Sequence, residues 1–255
     1  SYGVIGNQDI APYSTLALMS QTTTYFGSNT GVTGYWANTL ATPDIKWEKT
    51  NQFDIGFDLG LWDNHLTLSF DYFDKRTTDA LLSTSLPNYL GGTSYLINAG
   101  EVSNKGIDFT ISADVFRTND FEWTTSLNGT YLKNKVVKLT AQEPRLYSGV
   151  MPGICDDGTN IITEGEAIGS FYGYRWAGID ADGYDTYYKS DGSTTRNPEP
   201  TTDRVVLGHS TPDFTLGWNN SLRYKNWNLN AFFNSSFGAK RLNVLRFAMN
   251  EMIGN

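Results

Sequence analysis

Cysteine is nearly missing from this chain, with one residue, Cys155, in 255. That excludes an internal disulfide framework and any Cys-rich zinc module. Histidine is almost as scarce: His65 and His209 are the pair present. No His-rich metal cluster can form from them. Charge is thin at 18%, and basic charge is thinner still, with Lys+Arg 19 against Asp+Glu 27 and a net charge of -8. A nucleic-acid binder needs a basic stripe to neutralise phosphates, and this balance argues against one. Long apolar runs are missing too. The longest is four residues, Leu16 to Met19, far short of the ~20 needed for a membrane helix.

What is abundant is aromatic and small polar. Seven Trp, fifteen Tyr and fourteen Phe accompany 25 Gly. Such a load argues against disorder, and the Tyr, Trp, Thr, Asn and Gly content reads as β-structure. Strict alternation supports that reading. Phe53, Ile55, Phe57, Leu59 and Leu61 point one way, and Gln52, Asp54, Gly56, Asp58 and Gly60 the other. A turn at 62–65 leads to a return arm with Leu66, Leu68, Phe70 and Tyr72 on one face. A second hairpin alternates Ile107, Phe109, Ile111, Ala113 and Val115, turns at Thr118-Asn119-Asp120, and returns with Phe121, Trp123, Thr125, Leu127, Gly129 and Tyr131. A third runs Phe214, Leu216, Trp218, Leu222 and Tyr224, turns at Lys225-Asn226, and returns with Trp227, Leu229, Ala231 and Phe233.

The connections are asymmetric. The hairpin turns are short, whereas the stretches 79–100, 140–166 and 180–211 are long and rich in Gly, Pro, Asn, Asp and Ser. Outer-membrane barrels have that asymmetry. Period-two alternation also fits a soluble sandwich, whose apolar face would be its core. Arm length and the polar faces favour the membrane: the arms run to a tilted crossing, and Asp, Thr, Ser, Asn and Gly suit a wet lumen. Trp62, Phe121, Trp123 and Trp227 beside the short turns fit an interfacial girdle.

Several segments then resemble one family. Ser1-Tyr2-Gly3-Val4-Ile5-Gly6-Asn7-Gln8 resembles an SYGxxGNQ segment, and Pro43-Asp44-Ile45-Lys46-Trp47-Glu48 resembles PxLKWE. Asn98-Ala99-Gly100-Glu101-Val102-Ser103-Asn104-Lys105-Gly106 resembles NxGxxxNKG. Gly165 to Tyr174 resembles GxPIGxFYGY, with Ala167 for Pro, and Asp203-Arg204 with Pro212-Asp213-Phe214 resembles DRxxxGxxxPDF. In this order they resemble SusC/RagA-type TonB-dependent outer-membrane transporters of Gram-negative bacteria. The resemblance implies an all-β antiparallel meander forming part of a large transmembrane β-barrel. It implies residues 1–255 as a partial barrel domain of about seven to nine strands, short of closure, with the plug domain and final barrel strands absent from this chain. It further implies import of an oligosaccharide or peptide, a SusD-like surface lipoprotein as partner, TonB acting through parts outside this chain, outer-membrane lipid around the wall, and no cofactor. A soluble β-rich carbohydrate-binding module is the alternative. A β-sandwich glycosidase ranks last, because no GxSxG or Cys-His pattern is present and the strand-face Asp fit a wet lumen better than a catalytic pair.

Candidate sites are few, and no catalytic, cofactor or metal residue is assigned. Asp180-Ala181-Asp182-Gly183-Tyr184-Asp185 has oxygen ligands but lacks the spacing and terminal Glu of a calcium loop; an acidic external turn is the expectation. Tyr89, Tyr95, Tyr147, Tyr172, Tyr174, Trp176, Tyr184, Tyr187 and Tyr188 lie in or beside the long stretches, where they could pack loop on loop or stack on sugar rings. Cys155, beside Asp156-Asp157, reads as an incidental thiol, since neighbouring carboxylates do not favour a thiolate. On the membrane reading, Phe53, Ile55, Phe57, Leu59, Phe109 and Trp218 should lie exposed on the convex face of the sheet.

Overall fold

The alternating segments become the strands of one large sheet in the computed structural model, which describes all residues except 8–9, 11–12, 14, 28–29, 86–93, 141–144, 150–157 and 251–255. The first strands are β1 (Tyr2–Asn7), β2 (Leu18–Thr24), β3 (Val32–Thr39), β4 (Glu48–Leu61), β5 (Leu66–Ser85), β6 (Ser94–Arg117) and β7 (Phe121–Leu139). Seven short strands follow: β8 (Arg145–Ser148), β9 (Asn160–Thr163), β10 (Ser170–Tyr174), β11 (Trp176–Ile179), β12 (Asp185–Tyr188), β13 (Thr194–Thr195) and β14 (Arg204–His209). The chain then returns to the large sheet with β15 (Phe214–Tyr224) and β16 (Trp227–Phe237), before a short helix α1 (Val244–Asn250).

The large sheet has nine strands, in the order β1-β4-β5-β6-β7-β15-β16 with β2 and β3 attached beside β6. Its long hairpins are antiparallel and nearly continuous in register. Among the described residues the sheet is not closed: its main path ends at β1 and β16, and β2 is a further edge. Among the described residues its strands meet mainly their hydrogen-bonded neighbours, and no second sheet covers the alternating apolar face. That removes the support for a soluble sandwich.

Three features differ from the sequence reading. The stretch 79–100 is not a loop throughout. β5 continues to Ser85 and β6 begins at Ser94, with an irregularity at Asp79, whose φ is 55°. Next, the described residues between β7 and β15 form an insert of two small sheets, β14-β10-β9-β8 and β11-β12-β13. Last, the alternation on β6 breaks at Val115, where a bulge lets Phe116, rather than Val115, pair with Trp123. An extra bulge residue reverses the facing of everything beyond it, which a strict period-two reading cannot anticipate.

A small core sits at the long-loop end. Ala99, Val136 and Leu139 of β6 and β7 are buried, as is Ile161 of the insert. Segment 164–168 runs along β7 beyond the end of β15: Gly165 N–H donates to Val136 C=O at 2.9 Å and Val136 N–H to Glu166 C=O at 2.8 Å. The insert therefore docks on the wall where β15 stops pairing at Tyr131.

Candidate functional site

The wall has two chemically distinct faces, and register shows how each is assembled. On the apolar face, Ile55, Tyr72, Ile107, Tyr131, Phe214 and Phe237 share one row across six strands. Closer to the short turns, Leu59, Leu68, Ile111, Leu127, Trp218 and Phe233 form another. Rings stack between neighbouring strands, Phe57 on Phe70 at 5.6 Å and Trp218 on Phe233 at 5.5 Å between centroids. The Trp218 indole N–H donates to Thr125 Oγ1 at 2.9 Å, so a polar group on this face is satisfied within it.

Of the six residues expected to be exposed here, Phe53, Ile55, Phe57, Leu59 and Trp218 are, Ile55 to 60%. Phe109 is half-buried. Its partner across the ladder is Gly129, and the Phe109 ring fills the space a side chain would take there. Along β7 this face runs from Phe121 to Tyr131. Eleven residues at about 3.3 Å each, tilted by about 40°, span roughly 25 Å, the height of a barrel's lipid-facing band. The band stops abruptly. One row beyond Tyr72, Ile107 and Tyr131 stand Asp74, Lys105 and Lys133, with Lys105 Nζ 2.7 Å from Asp74.

The opposite face is small, polar and internally bonded. Ser69 donates to Asp58 at 2.6 Å, Thr130 to Asp108 at 2.6 Å, and Ser112 meets Ser126 at 2.9 Å. Gly56 and Gly217 leave room for the Asp71 carboxylate and the Asn128 carboxamide of the neighbouring strands. Near the short turns, Arg223 pairs with Glu122 at 2.7 Å. Charge and hydroxyls thus lie on one side of the sheet and exposed hydrocarbon on the other, the two-faced pattern of barrel strands.

The segments singled out by resemblance meet at the long-loop end. Asn98 donates from Nδ2 to Lys46 C=O and Asp79 C=O, each at 2.8 Å, and its Oδ1 accepts Lys46 N–H at 2.7 Å. Glu48 accepts Leu81 N–H at 2.7 Å and the Asn7 carboxamide at 2.9 Å. Asn134 donates to Asn104 at 2.6 Å and accepts Ile168 N–H at 2.7 Å. Arg204 donates to Gly158 C=O at 2.6 Å and lies over the Tyr172 ring at 4.7 Å. These residues are clasps between strand ends and the insert, a role that spacing alone does not reveal.

A family model described as TonB dependent receptor-like, beta-barrel matches residues 9–240. The chain belongs to that family. TonB-dependent receptor P3 of Formosa agariphila is 39% identical over 95% of this chain, and TonB-dependent receptor SusC of Bacteroides thetaiotaomicron is 27% identical over 72%. The structure of the RagAB peptide transporter superposes with a TM-score of 0.76 at 27% identity, over 93% of this chain and 26% of that one. The chain spans about a quarter of the length of such relatives, 26% of receptor P3 and 19% of SusC. These are receptors and transporters, not enzymes, which agrees with the absence of a catalytic pattern in the sequence.

In this TonB-dependent receptor wall, most of the loop tyrosines pack on their own surroundings. Tyr147 meets Tyr172, and Tyr174 meets Tyr187, each pair at 5.9 Å between centroids. Arg175 lies over Tyr188 and Arg196 over Tyr184. Tyr95 is half-buried on β6. Trp176 donates its indole N–H to Asp185 at 2.9 Å yet stays 58% exposed. Tyr89 and Cys155 lie outside the described residues. The acidic turn is held by protein groups: Asp180 Oδ1 accepts Asp182 N–H and Tyr184 N–H at 3.0 Å, and Arg196 bonds both Asp180 and Asp182. The Tyr184 N–H first, and Arg196 after it, hold the Asp180 carboxyl below its ordinary pKa. Arg196 thus places one positive charge beside both carboxylates. Among the described residues no cluster of His, Cys, Asp and Glu could hold a metal. His65 lies in the 62–65 turn, and His209 Nδ1 is bonded to Thr211 C=O at 2.7 Å.

Proposed function

We propose that this chain is part of the barrel wall of an outer-membrane importer in a Gram-negative bacterium, taking up an oligosaccharide or a peptide with energy relayed through TonB. The observation that carries this reading is the exposed apolar band, about 25 Å high, which ends on a charged row and is backed by a small-polar face. Hydrocarbon tolerates no open sheet edge. The unpaired edges of β1 and β16 therefore call for further wall strands, and the plug, like those strands, is supplied from outside these 255 residues. Of the two cargo classes, peptide has the support of the likeness to the RagAB peptide transporter. The exposed Trp176 on β11 and Tyr184 in the turn before β12 suit contact with cargo or with a SusD-type lipoprotein lid.

The test is depth-dependent. In the full-length transporter, Phe57→Arg near the middle of the band should cost ~2–4 kcal/mol of folding into bilayers, and Phe53→Arg at its border ~0–1. Equilibrium folding from denaturant into phospholipid vesicles measures both. Equal, small effects at the two sites would show that this face does not meet lipid.

A further inference from the structure

The charged region that ends the apolar band is mostly basic. Beyond the band, toward the long loops, the same face carries Lys49, Arg76, Lys105, Lys133, Lys135 and Lys138, all exposed. Its acids are fewer. Glu101 pairs with Arg76, and Asp74 with Lys105. Lys49, Lys133, Lys135 and Lys138 have no carboxylate partner among the described residues. This gathering stands out in a chain of net charge -8. The other border of the band is different: beside the short turns the apolar face shows Phe116, Trp123, Tyr224 and Trp227, and the arginines there, Arg117 and Arg223, belong to the polar face with Glu122.

Three of the lysines sit close together. Lys105 and Lys133 are direct cross-strand partners, a placement that puts side chains about 5 Å apart and disfavours like charges. Lys135 is two residues along the same face, roughly 7 Å away. The apolar partners Ile107 and Tyr131 lie one row below them. Ammonium groups bordering a lipid-facing surface match the shape of an anionic amphiphile, with acyl chains on the band and a phosphate at the lysines. We infer that Lys105, Lys133 and Lys135 form a binding site for the phosphate of an anionic lipid in the leaflet on the long-loop side. Asp74 already neutralises part of the charge at Lys105, so a phosphate between the strands would chiefly balance Lys133 and Lys135, with Lys105 shared between it and Asp74. The inference rests on the lipid-facing reading of the band. That reading fails through Phe57→Arg, which leaves the lysines untouched, whereas the lipid site fails with insertion intact.

The experiment uses the full-length transporter in a non-ionic detergent, titrated with phosphatidylglycerol or phosphatidylcholine, with bound lipid counted by native mass spectrometry. The parent protein should prefer phosphatidylglycerol by at least about tenfold. The triple variant Lys105→Gln, Lys133→Gln, Lys135→Gln should lose that preference, and the matching triple Arg variant should keep it. Lys225→Gln, in a short turn, should also keep it. An unchanged preference in the Gln variant would overturn the site. So would displacement of the lipid by millimolar inorganic phosphate, since that would reduce the site to a free-anion site with no part for the acyl chains.

Discussion

Asp203 is buried, with 2% of its surface exposed, and it holds the insert together. Its carboxylate accepts Glu199 N–H at 2.8 Å and Ser190 N–H at 3.1 Å, and these bonds keep its pKa below the ordinary value. A depressed carboxylate stabilises the fold above its unfolded pKa and loses that contribution as pH falls through the folded one. The insert should therefore stay ordered from neutral pH down to the usual Asp range and loosen below it. Hydrogen exchange at the Ser190 and Glu199 amides would report this, and Asp203→Ala should give the same fast exchange at pH 7. Asn98 makes a second forecast. Asn98→Ala removes three hydrogen bonds that join β6 to Lys46 and Asp79, and should cost roughly 1–3 kcal/mol. Equilibrium unfolding of the full-length protein measures it, and an unchanged midpoint would show that water replaces the clasp without loss. Neither role was legible in the sequence. Asp203 and Asn98 stand out there by resemblance alone, because their partners are backbone groups up to 52 residues away.

At the scale of elements, legibility follows the apolar face. Arms 52–61, 66–72, 107–114, 121–131 and 214–224 alternate because one face must be apolar and the other wet, and the structure reproduces that facing row by row. Above the band one face is charged and the other mixes polar residues with a small core around Ala99, so the upper halves of β5 and β6 carry no clear periodic signal and read as loop. The insert is hidden for the same reason: its small sheets are held by turns and side-chain clasps rather than by an amphipathic pattern. The bulge at Val115 permits a sharp test. Deleting Val115 leaves Phe116 opposite Trp123 in a regular ladder, so membrane insertion should be retained. Deleting Ile111 instead shifts the strand by one and turns Phe109 and Ile107 toward the polar face, or the residues beyond it toward lipid. Insertion of the full-length transporter should then fail. Comparable insertion of both deletions would mean that the register of β6 does not matter for the lipid face.

At the scale of the whole molecule, protection should grade from the centre of the sheet to its edges. The β5–β6 pair is the longest ladder, extending from Leu66↔Ala113 to Ser85↔Ser94, and each of these strands is bonded on both sides. β1 and β16 are exposed along nearly their whole length and pair on one side only. A strand edge that faces solvent opens at low free-energy cost, whereas a central strand opens near the global cost. In detergent, this 255-residue stretch should show fast amide exchange in β1 and β16 and slow exchange in β5 and β6. In the full-length transporter, neighbouring strands would cover both edges, and the slow exchange should extend through β1 and β16. The comparison separates an edge that is weak in itself from one that lacks its neighbours. A gradient surviving unchanged in the full-length protein would mean that the two edges stay uncovered there, and the barrel-wall assignment would fall with it.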